Sequence, residues 1–281
     1  MKFFLLDHFL TKINQYFDTN LIIMKVRGTF EMNLTKHHIL NLLEELSHLE
    51  LDLSDKYQIN GKHVPRVTEI LSAMIHQESL MTWSNSLGWK RISYKAFLQE
   101  AADKGTYSHL AIEKYLKDGF VDLDTLPLND RIKSSVVSCM DGFMLWWNQL
   151  KANHDVSVVS TEETIVHKYF GGTCDCLLKI DGKYKLVDFK TSNNMNYKYG
   201  LQLAAYRYLF REVKDINLDQ CMILMLSKTN HSYLTYELDL SNKTHLSYID
   251  NCEYTFLTLL AGYMMRLFTN NEYKSIFDVK Q

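Results

Sequence analysis

The dipeptide Asp181-Gly182 stands between two β-rich runs, Cys174 to Ile180 and Lys183 to Lys190. Asp-Gly is one of the strongest short-range signals for a two-residue hairpin turn, because both central residues of that turn take positive φ. Counting outward from Ile180 and Lys183 along such a hairpin brings Asp175 opposite Asp188. Side chains alternate between the faces of a strand, so Lys190 shares the face of Asp188, while Cys174, Cys176, Val187 and Phe189 point the other way. Any symmetric loop on the same dipeptide keeps this register, and an asymmetric loop breaks it.

Like charges directly opposed in a sheet repel, and two close carboxylates cannot both ionise cheaply without a compensating cation. A divalent metal is the simplest compensation. Oxygen donors favour Mg²⁺ or Mn²⁺, which polarise a phosphoryl oxygen, lower the pKa of a bound water and, as a pair ~4 Å apart, clamp attacking and leaving oxygens. A lysine two residues beyond the second aspartate would position the water and offset developing negative charge. The plainer alternative is an exposed Asp-x-Lys with an unrelated aspartate nearby.

Downstream, LQLAAYRYLFREV reads as a helix with Gln202 and Tyr206 on one face. Either Gln202 orients a water or ligand and Tyr206 donates to a phosphate, or Gln202 caps the sheet and Tyr206 is a half-buried aromatic. Upstream, a helix is expected to begin after Gly105-Thr106, with His109, Ile112, Glu113 and Leu116 on one stripe. His109 therefore points inward, as a core histidine or, beside a metal site, as a ligand.

Together these residues resemble the PD-(D/E)XK nuclease superfamily in its RecB-type branch. The match is Gly105-x-x-x-His109, Gly172-x-x-Asp175, Asp188-x-Lys190-Thr191 and Gln202-x-x-x-Tyr206, in the family's order. The segment Tyr57 to Leu71 is similar to one shared by phage-type single-domain exonucleases and the mitochondrial genome maintenance exonuclease, and the resemblance covers about Tyr57 to Glu237. It implies a restriction-endonuclease-like α/β fold with an αβββαβ core, a central mixed sheet flanked by helices and a helical N-terminal segment. It also implies Mg²⁺ or Mn²⁺ dependence and cleavage of DNA, often from a single-stranded end. Carried over, Asp175 and Asp188 become metal ligands, Lys190 the catalytic lysine, His109 a further metal ligand, and Gln202 and Tyr206 the motif after the lysine. The family has an acidic residue on the strand before Gly172. Glu162 and Glu163 both qualify, only one can face inward, and Glu162 is favoured. Arg66 stands where many relatives have serine, and an arginine there suits a phosphate. Cys139, Cys174, Cys176, Cys221 and Cys252 lack the close trio that holds an iron-sulfur cluster in several RecB-type nucleases, so no cluster is expected. Cys174 and Cys176 are expected to pack under Val187 and Phe189.

The chain has 281 residues, 46% hydrophobic, enough for a sizeable core in one or two domains. Scattered cysteines and the lack of a recognisable signal peptide point to an intracellular reducing compartment, and no apolar run is long enough to span a membrane. A net charge of −2 excludes a general polyanion binder. Contacts to nucleic acid must come from a local basic surface, with Lys62, Arg66, Lys90, Arg91, Lys95, Lys198, Arg207 and Arg211 as candidates. Trp83, Trp89 and Tyr199 are candidate stacking platforms, the tryptophans equally suited to a core. Organisation reads as an N-terminal extension over 1–55 with a helix from Lys36 to Leu51, a helical segment over 56–155 contributing His109, and a nuclease core over 156–281. Thr68 is expected to cap a helix running to about Trp83. The expected activity is that of a monomeric, metal-dependent DNA exonuclease acting on single-stranded ends. The alternatives are a structure-specific or nicking endonuclease, and an inactive nucleic-acid-binding module of the same fold.

Overall fold

The computed structural model describes residues 35–48, 53, 57–75 and 93–277, with side chains to Asn270. Two compact units divide the chain, 1–41 and 42–281. Of the first, the described residues open helix α1 (Lys36–Leu46), where Thr35 Oγ1 lies 2.9 Å from His38 Nδ1. That helix ends earlier than the run to Leu51 suggests. Everything below belongs to the second unit.

A short hairpin, β1 (Gln58–Ile59) and β2 (Lys62–His63), turns through Asn60-Gly61, both at positive φ. It leads into helix α2 (Val67–Met74), whose N-cap is Arg66, not Thr68, and which stops at Met74 because Ile75 is already extended. The expected continuation to Trp83 lies outside the described residues. Helix α3 (Tyr94–Asp118) starts well before Gly105, where Ser93 accepts a hydrogen bond from Ala96 N–H. The run from Tyr94 to Lys104 is rich in helix formers, so one glycine, at about 1 kcal/mol relative to alanine, does not break it. Gly105 faces Thr191, where a Cβ would lie 3.4 Å from the threonine Oγ1, an ordinary contact. After a 3₁₀ turn, helix α4 (Asp130–Asn153) begins where Asn129 accepts from Ile132 N–H.

The sheet follows as β3 (Val156–Val166), β4 (Gly171–Ile180), β5 (Lys183–Lys190), helix α5 (Tyr197–Lys214), β6 (Gln220–Leu226), β7 (Tyr233–Asp239) and helix α6 (Lys243–Phe277). Strands lie in the order β3-β4-β5-β6-β7, antiparallel except for β5 with β6. The parallel pair needs a crossover, which α5 supplies. This is the αβββαβ arrangement with a mixed sheet between helices.

Asp181 and Gly182 have φ of 49° and 83°, the signs a type I′ turn requires. The register runs from Ile180↔Lys183 to Cys176↔Val187, as counting from the turn predicts. Asp181 also ties the turn to the end of α4, accepting from Asp155 N–H at 3.0 Å and meeting His154 Nδ1 at 2.6 Å.

Helices α3 and α4 cover one face, where Ala111, Ile112, Phe143, Trp146 and Trp147 pack with Cys176, Leu178, Val187, Phe189 and Leu224. Cys174 departs from expectation. It is buried but absent from that cluster, and burial pushes its thiol pKa up. Helices α5 and α6 clamp each other through Glu253, 1% exposed, which receives both Arg211 terminal nitrogens at 3.1 and 2.9 Å. Removing one partner leaves a buried charge uncompensated. Glu253→Ala is therefore expected to destabilise the protein by about 3 kcal/mol, the lower end of the range for a broken buried pair because Arg211 keeps partial access to solvent. Urea unfolding monitored by circular dichroism measures this.

Candidate metal and nuclease site

Strand β3 carries an extra residue at Val159, between Val158↔Leu178 and Ser160↔Leu177. The one-residue shift decides which acid meets β4. With Thr161 opposite Cys176 and Glu163 opposite Cys174, Glu162 falls opposite Asp175. Its backbone sits at φ 48°, a left-handed conformation inside a strand that costs a non-glycine residue ~1–3 kcal/mol. Glu163 turns away and pairs with Lys214 at 2.5 Å. Burial pushes the Glu163 carboxyl up, but the Lys214 contact outweighs it and holds the carboxyl below the usual carboxylate range.

Between β4 and β5 the paired register reaches Cys176↔Val187, and there the Asp175 carboxylate takes over. Its Oδ2 accepts from Phe189 N–H at 2.7 Å, and its Oδ1 lies 3.4 Å from His109 Nδ1. His109 arrives from α3, its ring edge-on to Phe189 at 5.9 Å. Single donor atoms of His109, Glu162 and Asp175 all lie within 4.8 Å of one another. They line a cleft of about 420 Å³ with Gly105, Thr106, Leu110 and Glu113.

Asp188 is fully buried, and neither carboxylate oxygen has a hydrogen-bond donor. Lys190 Nζ stands 2.5 Å from Asp188 Oδ2, an ion pair by distance that lacks the direction of a hydrogen bond. Burial pushes the Asp188 carboxyl up to about 6, with Asp175 adding to the rise and Lys190 opposing it. Burial acts the same way on Asp175, but His109, Lys190 and the Phe189 N–H outweigh it and hold the carboxyl below its ordinary range. Burial also disfavours the His109 cation, yet Asp175 outweighs that and raises its pKa. Glu162 is pushed up to about 7 by burial and then by Asp175. The donor set fits a divalent cation: nitrogen and oxygen ligands converge beside buried carboxylates that Lys190 and His109 neutralise only in part. Asp188, read from the sequence as a ligand, stands just outside the three-residue cluster, and Glu162 stands in it.

Other residues read as functional are engaged elsewhere. Gln202 Nε2 donates to Tyr206 Oη at 2.9 Å, and Tyr206 is 3% exposed, pressed on Gly172, where a Cβ would meet its ring at 2.6 Å. A hydroxyl so enclosed has no surface for the expected phosphate contact. Lys198 donates to the Ile75 carbonyl at 3.1 Å, at the end of α2. Arg207 is held by Asp250 at 2.7 Å and faces Glu253 at 3.5 Å, so its guanidinium serves the α5–α6 contact and not a strand of DNA. Tyr199 turns its ring to Lys190. Arg66 keeps a 38% exposed side chain while its Nε lies 3.3 Å from Glu69. Lys90, Arg91, Trp83 and Trp89 lie outside the described residues. Glu113 was not read as functional, although its place four residues after His109 on the inward stripe was the available signal.

A family model described as the PD-(D/E)XK nuclease superfamily matches residues 88–234, just over half of the chain. The chain belongs to that superfamily: it is a nuclease by fold, its substrate is nucleic acid, and its relatives use divalent metals. Among solved structures it is similar to an alkaline exonuclease from Laribacter hongkongensis, at 10% identity and TM-score 0.33 over 75% of this chain and 94% of that one. It is also similar to a phage related exonuclease from Haemophilus somnus 129PT, at 11% identity and TM-score 0.29 over 73% and 96%. At such TM-scores these likenesses carry no argument of their own. No curated protein matches the chain. No helix of the described residues is long and apolar enough to cross a membrane.

Glu162 and Asp188 retain a proton in the folded state at pH values where the unfolded chain has released it. Their contribution to stability is thus full below the ordinary carboxylate range and is lost as pH rises through about 6 for Asp188 and about 7 for Glu162. In thermal melts with chelator present, Glu162→Gln is expected to melt above the wild type at pH 8, with the gap closing toward pH 4.5. A gap independent of pH would contradict this.

Proposed function

We propose that this chain is a divalent-metal-dependent DNA exonuclease that hydrolyses phosphodiester bonds from single-stranded ends. The observation that carries the reading is the convergence of His109, Glu162 and Asp175 beside the buried Asp188 and its Lys190 partner. Mg²⁺ or Mn²⁺ suits this oxygen-rich set, with His109, Glu162 and Asp175 as holders and Asp188 adjoining. When bound, such an ion supplies Lewis acidity toward the scissile phosphate.

The chain's own residues do the rest. His109 would have to be neutral to hold such an ion, whereas Asp175 favours its protonated form. Lys190 keeps its proton: burial opposes the charge, but Asp188 and Asp175 outweigh that and raise its pKa. A half-sequestered ammonium beside the carboxylates can meet the negative charge that develops on the phosphoryl oxygens, and acts more strongly there than in bulk water. Arg66, partly exposed, is the phosphate contact we assign, with Lys90 and Arg91 as further contacts. The preference for single-stranded ends rests on the resemblance of the segment Tyr57 to Leu71 to that of phage-type exonucleases.

End-labelled linear single strands should be digested with Mg²⁺ or Mn²⁺ and not with chelator, while closed single-stranded circles persist. Circles cut as fast as linear strands would sink the exonuclease assignment. Asp188→Ala and Lys190→Ala should each lower kcat by about 10²–10³, the cost typical of removing one charge-stabilising group. Folded variants with unchanged activity would place the chemistry elsewhere.

A further inference from the structure

We propose that Tyr199 is a positioning residue for Lys190, its ring face holding the ammonium beside Asp188. The proposal rests on the reading of Lys190 as the catalytic lysine. Lys190 occupies the last paired position of β5, opposite Met225. Its stem of four methylenes has as much rotamer freedom as any side chain, and a group that must meet developing charge loses efficiency if it wanders. The described contacts of its Nζ are two. Asp188 Oδ2 lies at 2.5 Å, a single point of attraction that does not by itself fix the direction of the ammonium. The Tyr199 ring lies on another side, its centroid 5.2 Å from Nζ, inside the range where a cation is attracted to an aromatic face. The Lys190 side chain is 16% exposed, so this attraction acts in a partly desolvated setting where it is strongest.

The ring is itself fixed at both ends. Its backbone lies in the first turn of α5, where Asn196 caps the helix by accepting from Lys198 N–H and Tyr199 N–H bonds the Asn196 carbonyl. The next residue, Gly200, is wedged against Tyr248, since a Cβ there would lie 2.4 Å from the Tyr248 hydroxyl. At the other end, Tyr199 Oη donates to Ser192 Oγ at 2.8 Å, and the Ser192 hydroxyl donates to the Asn194 carbonyl at 3.2 Å. The loop that leaves Lys190 therefore closes on the ring that faces Lys190. Strand end, loop and helix start form one closed unit around the ammonium. The face turned to Lys190 is not available to a base, so this role replaces the stacking role read from the sequence.

The test separates the ring from the hydroxyl and from activity. Tyr199→Phe keeps the aromatic face and should hold kcat within about threefold. Tyr199→Leu removes the face and should lower kcat about tenfold, equivalent to ~1.4 kcal/mol, with KM for a labelled single strand within about twofold. Tyr199→Met replaces the leucine variant if that one fails to fold. With lysine labelled at ¹³Cε, the Lys190 methylene signal, identified by its absence in Lys190→Arg, should be shifted upfield by the ring in the wild type and in Tyr199→Phe. It should return to the ordinary lysine position in Tyr199→Leu. An ordinary position in the wild type overturns the proposal whether or not the protein cuts DNA, as does a leucine variant with full kcat or with the whole loss in KM. An inactive wild type with a shifted signal instead defeats the nuclease reading, and with it the positioning role.

Discussion

A buried carboxylate with no donor to either oxygen is among the least favourable groups a fold can contain. Asp188 escapes that condition through the Lys190 ammonium alone, and the strand that carries it is held in place: Asp188 pairs with Ile223 in the parallel ladder, and helices cover both faces of the sheet. Glu253 is equally buried but is met by both terminal nitrogens of Arg211, so its burial is explained by holding α5 to α6. The contrast between these two acids separates structure from chemistry. Glu253 has both oxygens met by one guanidinium, whereas Asp188 has Lys190 beside one oxygen and, among the described residues, no partner at the other.

The strands around these acids are distorted in ways that serve the same end. The extra residue at Val159 rotates the register of β3 so that Glu162, not Thr161, meets Asp175. Glu162 then adopts a left-handed backbone, and Asp175 accepts the Phe189 N–H in place of a ladder bond. Each departure costs some sheet regularity. Together they open the sheet where α3 delivers His109, and strain of this kind clusters at functional sites.

What was legible in the sequence followed from local chemistry. The register of β4 and β5 depends on a two-residue turn, and Asp181-Gly182 specifies that turn without help from the rest of the chain. Glu162 over Glu163 was harder, because the choice depends on a bulge at Val159 that no turn residue or glycine announces. The sequence suggests too late a start for α3 because Gly105 looks like a boundary, whereas the helix formers before it carry the helix back to Tyr94. The basic residues were least legible. Whether an arginine is free to meet a phosphate depends on distant partners, and Arg207 finds Asp250 and Glu253 while Lys198 finds the end of α2. Tyr199 misled for the same reason: an aromatic near a lysine in sequence reads as a platform for bases until its ring is seen to face that lysine.

Gly171-Gly172 shows why the site needs the whole unit. A Cβ on Gly171 would lie 3.0 Å from the Tyr57 ring, and one on Gly172 would lie 2.6 Å from the Tyr206 ring. Tyr57 also reaches Thr173 Oγ1 at 2.8 Å, and Gly171 N–H donates to the Pro65 carbonyl at 3.0 Å. The upstream segment and helix α5 thus both press on the start of β4, a few residues before Asp175. These contacts join parts of the chain far apart in sequence, so no short stretch can hold Asp175 in place by itself, and each must wait for loops of the chain to close. The two glycines are the points at which that assembly is allowed to come close enough. A methyl group on Gly172 would force the Tyr206 ring to move, and one on Gly171 would require Tyr57 to give by a few tenths of an ångström.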